Sequence, residues 1–121
     1  MIVQRGRVIA ESGAVLLARV QDGQGNYLTN ATTSGIVVNV YNAETAALSV
    51  TLPSGDTTIY DTLQTSPAWT QDSVGYNVSI AVPGSAWPTA ATYRVEAIVT
   101  PVAGDSFFLL WELYAVNVFS A

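Results

Sequence analysis

The sequence predicts an all-β sandwich, and three observations predict it. Helix signals are nearly absent. The apolar segments alternate with period two and carry β-branched and aromatic residues, and clusters of glycine, proline, asparagine and aspartate break the chain between them. The 121 residues suit one domain, a size at which about two-thirds of the unfolded surface is buried on folding.

The elements follow in order. Residues 1–12, ending at Ser12-Gly13, read as an N-terminal arm or edge strand, and the sandwich is expected to occupy 13–121. Ala14, Leu16, Ala18 and Val20 alternate with Val15, Leu17, Arg19 and Gln21, and the turn chemistry of residues 22–26 stops that strand. Ile36 to Tyr41 form the next strand, ended by Asn42-Ala43-Glu44. Residues 46–51 and 57–63 are shorter strands around Pro53-Ser54-Gly55-Asp56, and residues 75–82 stop at Pro83-Gly84. In residues 93–99 the odd positions are apolar while Arg94 and Glu96 are charged, the pattern of a strand with one wet face. Pro101-Val102-Ala103-Gly104-Asp105 turns the chain, and residues 107–119 return.

That last segment is apolar on both parities. Phe107, Leu109, Trp111, Leu113 and Phe119 share one side; Phe108, Leu110, Tyr114, Val116 and Val118 share the other. A strand in a two-layer sandwich buries one face. Either a bulge near Glu112 swaps the faces, or another chain covers the second. The expected interface set is Leu110, Tyr114, Val116 and Val118, joined by the loop tryptophans Trp69 and Trp87. The polar-aromatic stretch from Ile59 to Asn77 fits no generic sandwich loop; its Trp69 either plugs the end of the sandwich or touches a partner.

Composition narrows the chemistry. There are no cysteines, histidines or lysines, which removes disulfides, thiolate metal sites, a Ser-His-Asp triad, Schiff-base lysines and a Walker loop. Four arginines face nine carboxylates, for a net charge of −5, against nucleic acid as a partner. The carboxylates are scattered singly. Glu112 alone interrupts an apolar segment, either at a bulge facing water or paired with Arg94 on the preceding strand. A calcium loop starting at Asp22 would need an acid where Thr33 stands. No cofactor is expected, and no enzymatic activity. Neither a signal peptide nor an apolar run long enough to span a membrane is visible, so the chain is expected to be made in the cytoplasm. On that view Asn30-Ala31-Thr32 and Asn77-Val78-Ser79 match the glycosylation pattern by chance. Charged residues make up only 11% of the chain, less than half the share in ordinary soluble domains, as suits a protein whose surface faces partners.

Two stretches resemble the immunoglobulin-like modules of bacterial and phage proteins. Val20-Gln21-Asp22, Gly25, Leu28 and Ala31 look like their first hairpin, ahead of strand B. Thr92-Tyr93-Arg94-Val95-Glu96, Gly104 and Phe107 look like their closing F–G hairpin. The motifs cover about half the chain and are similar to small virion proteins of tailed bacteriophages: baseplate upper-protein N-terminal domains, neck proteins and capsid decoration proteins. The resemblance implies an immunoglobulin-like antiparallel β-sandwich of seven to eight strands. It also implies a structural role in the virion, with the chain itself and other virion proteins as partners. The alternative is a carbohydrate-binding or adhesion sandwich that stacks glycans on exposed aromatics, Trp87 being the first candidate.

Overall fold

Period-two alternation settles which side of a strand is buried; pairing settles what lies beside it. The computed structural model describes residues 3–22, 24–66 and 69–117. Eight strands are present: β1 (Val3–Ile9), β2 (Ala14–Ala18), β3 (Thr33–Asn42), β4 (Leu48–Leu52), β5 (Thr57–Gln64), β6 (Tyr76–Val82), β7 (Ala91–Pro101) and β8 (Phe107–Val116). Single 3₁₀ turns, Ser54–Asp56 and Gly84–Ala86, follow Pro53 and Pro83.

The strands form two sheets, one ordered β1-β8-β7-β3-β4 and the other β2-β6-β5. All pairs are antiparallel except β1 with β8, which run parallel from Val3↔Leu110 to Ile9↔Val116. The fold is an immunoglobulin-like sandwich: β2-β6-β5 occupy the places of strands B, E and D, and β8-β7-β3-β4 those of G, F, C and C′. In that lettering the Asp22–Leu28 hairpin follows strand B instead of preceding it, since it joins β2 to β3 through a Gln21↔Tyr27 bridge.

The core lies between the sheets. Val38, Val40, Val95, Ala97, Val99, Trp111, Leu113 and Ala115 come from the large sheet, and Leu16, Ala18, Val78, Ile80 and Val82 from the small one. No disulfide pins the layers. Instead Tyr93 of β7 packs edge-on against Trp87, ring centroids 6.3 Å apart, and its hydroxyl donates to the Thr89 carbonyl at 3.0 Å. This is the tyrosine corner of immunoglobulin-like domains. The position two beyond it, where antibody domains carry a disulfide cysteine, is the fully buried Val95.

Trp87 is 0% exposed, and its indole N–H donates to the Ser12 carbonyl at 2.7 Å. Its own carbonyl accepts from Glu11 N–H at 2.9 Å. These bonds lock the β1–β2 corner onto the turn before β7. A side chain at Gly84 would collide with the Glu11 carbonyl oxygen, so glycine is the residue that lets the two turns touch.

Candidate functional site

Of the expected interface residues, the structure keeps some at the surface and removes others. Trp87 is in the core and offers no face to a glycan or a partner. Leu110 is only 5% exposed, although it points away from the core cluster. Its register neighbours are Val3 on one side and Glu96 on the other, and strand β1 closes over the flank that sequence reading left open. Tyr114 is half exposed and Val116 partly so, while Val118 lies outside the described residues, as does Phe119.

The expected bulge at Glu112 is absent. β7 and β8 pair without a shift from Ala91↔Ala115 to Val99↔Phe107, so the odd residues of β8 face inward throughout. Glu112 does sit directly opposite Arg94, yet the ion pairs go elsewhere. Arg94 Nε lies 3.3 Å from Glu96 on its own strand, and Glu112 lies 3.7 Å from Arg5 Nε on β1. At these exposures each pair contributes roughly 0–1 kcal/mol.

Register lays out the outer face of the large sheet in rows. Val37, Ile98 and Phe108 lie side by side on β3, β7 and β8, with Val37 and Phe108 about half exposed. At the far end Ile9 lies beside Val116, and Tyr114 lies between Thr92 and Arg7. Between these two apolar patches runs a charged band of Arg5, Glu112 and Arg94 in one row, with Glu96 in the next. Val37, Ile98 and Ile9 were missed at the sequence level. The signal available was their parity within β3, β7 and β1, but only sheet order brings the three strands together.

Trp69 is part of a clasp. In the β5–β6 connection, Asp72 Oδ1 accepts from the Trp69 indole N–H at 2.9 Å and from the backbone N–H groups of Val74 and Gly75 at 2.9 and 3.2 Å. Arg19 Nη1, at the end of β2, reaches both Asp72 oxygens at 2.9 and 2.8 Å. The guanidinium also stands 6.0 Å from the Trp69 ring, which packs on Tyr76 at 5.6 Å. The Trp69 indole first, and then the Arg19 charge, hold the Asp72 carboxyl well below the usual carboxylate range. Gly75, at φ +109°, closes the loop where any Cβ would meet the Gln64 carbonyl at 2.6 Å.

The two glycosylation-like asparagines are engaged within the fold. Asn77 is 1% exposed and Asn30 donates to the Ile59 carbonyl at 2.8 Å. Among the described residues, no three His, Cys, Asp or Glu side chains gather to hold a metal ion, and no helix is long and apolar enough to cross a membrane.

No protein-family model and no curated protein matches the chain. Among solved structures, a chain from a structural study of glycolipid glycan hydrolysis by a family 123 glycoside hydrolase of Clostridium perfringens superposes at TM-score 0.50 and 9% identity. What the two share is a fold. The match covers 96% of this chain and 23% of that one.

Proposed function

We propose that this chain is a non-enzymatic structural module that self-associates through the outer face of its large sheet, and that it serves as a component of a tailed-phage particle. The observation that carries self-association is the layout of that face: two apolar patches flank a band of mixed charge. A two-fold axis along the band, between its two rows, sets each patch against its copy's opposite patch and brings Arg94 over the copy's Glu96. The phage assignment rests on the resemblance of the closing hairpin, Thr92 to Phe107, and the low charged fraction is in keeping with it. The glycan-stacking alternative loses its first candidate to the burial of Trp87.

Sedimentation of the wild type and of a Phe108→Asp, Tyr114→Asp double variant tests the contact. Both side chains are half exposed, so the variant folds. The expected result is a concentration-dependent dimer that the variant abolishes. A wild type still monomeric at roughly 100 µM, a modest affinity for a protein pair, would overturn self-association. Antibody labelling of purified particles, made from the genome that carries the gene, tests the virion assignment; particles lacking the protein would refute it.

A further inference from the structure

The small sheet ends on an unguarded edge. Its order is β2-β6-β5, so β2 has β6 on one side and, among the described residues, no strand on the other. Native edge strands are normally blunted by charge, proline, bulges or cover. The other three edges show such devices. β1 carries Arg5, Gly6 and Arg7; β5 loses register with β6 between Ile59 and Gln64 and carries Asp61; and β4 is tied through Ser49 Oγ to the Ala86 carbonyl at 2.6 Å. β2 reads Ala-Val-Leu-Leu-Ala, with Val15 61% exposed.

Beside this edge the sandwich is open. A groove of about 300 Å³ runs along the seam between β1 and β2. Its apolar lining includes Leu16, Trp69, Trp111 and Leu113, and the exposed Arg5 and Arg7 stand on its rim. Among the described residues no carboxylate lines it. Arg7 makes no ion pair among the described residues, in a chain whose net charge is −5.

We infer that the β1–β2 seam is a docking site for an extended, acidic peptide segment of another protein, which adds to β2 as a fourth strand of the small sheet. Main-chain hydrogen bonds to the open edge supply affinity, and alternate side chains of the segment enter the groove or face outward. The rim selects the charge: Arg5 and Arg7 attract carboxylates on the incoming strand. The same charge disfavours a second copy here, because antiparallel β2–β2 pairing brings the rim arginines of both copies to one seam. This site adjoins the outer face of the large sheet at Arg5 and Arg7, but the groove and the β2 edge lie beyond β1, and strand addition there does not require self-association.

The test uses two soluble synthetic octapeptides, one alternating valine with glutamate and one alternating valine with lysine, titrated into the full chain and followed by amide hydrogen exchange. The acidic peptide is expected to bind at least tenfold more tightly than the basic one and to slow exchange within β2. Arg7→Glu, at an exposed position, is expected to remove most of that preference while leaving the unfolding midpoint unchanged. Equal binding of the two peptides, no binding of either, or protection along β4 or β5 instead would overturn the inference. So would protection of β2 that rises with protein concentration in the absence of peptide, since that would mark the edge as a self-pairing site.

Discussion

Asn77 offers the sharpest test of how the hairpin after β2 is held. The residue is 1% exposed and makes three hydrogen bonds. Its Oδ1 accepts from Val20 N–H at 2.7 Å, and its Nδ2 donates to the carbonyls of Val20 and Leu28 at 3.0 and 2.9 Å. Val20 and Leu28 are themselves buried. In Asn77→Ala the Val20 carbonyl keeps the Leu28 N–H at 3.0 Å, but the Val20 N–H and the Leu28 carbonyl lose these partners. Each orphaned buried group costs about 1–3 kcal/mol, so the expected loss is about 4 kcal/mol, a large share of a typical domain's stability. With an unfolding entropy proportional to chain length, that corresponds to a fall in Tm of about 15 °C. Asn77→Asp keeps the acceptor but sets a carboxylate against two carbonyls. Burial beside two carbonyls is expected to raise its carboxyl pKa in the fold, so this variant should be least destabilised at acidic pH and lose stability as pH rises. Urea unfolding of the three proteins, read from midpoints at constant m, measures both effects. An Asn77→Ala loss below about 1 kcal/mol, near that of a surface change, would refute this account.

Two further outcomes follow from the same geometry. Tyr93→Phe removes the hydroxyl that closes the tyrosine corner, and because Thr89 is exposed and water replaces the lost partner, urea midpoints are expected to report only about 1 kcal/mol. The Asp72 carboxyl is held down by Trp69 and Arg19, so its contribution is present above the unfolded aspartate value of about 3.9 and drains away as pH falls below it. Asp72→Asn should accordingly flatten the stability profile between about pH 4 and pH 2, and an unchanged acid limb would show that the clasp does not contribute.

Local pattern carried the sandwich a long way. The alternation in residues 93–99 and the turn residues at 101–105 located β7 and β8, and the odd parity of β8 was legible as the inward face. Turn residues likewise marked the ends of β2, β3 and β6: residues 22–26, Asn42-Ala43-Glu44 and Pro83-Gly84. These features are local because a strand's period and a turn's dihedral demands reside in a few consecutive residues.

Neighbours are not written locally, and there the tertiary structure decided. Leu110 reads as outward-facing, and it is, but β1 arriving parallel from a hundred residues away leaves it buried. Glu112 faces Arg94 in register yet pairs with Arg5, because β1 brings a second guanidinium to its other side. Trp87 and Trp69 looked alike as loop tryptophans. One is buried by the β1–β2 corner and the other is caught between Arg19, Asp72 and Tyr76. Asn77 resembled a chance glycosylation site and is the bracket of a hairpin. Except for the contacts of Trp69 with nearby Asp72 and Tyr76, the deciding partner lies far along the chain. Sequence by itself therefore determined which residues form strands and which side of each is apolar. Sheet order and register alone decided which apolar sides are covered, because burial depends on what chain closure brings alongside.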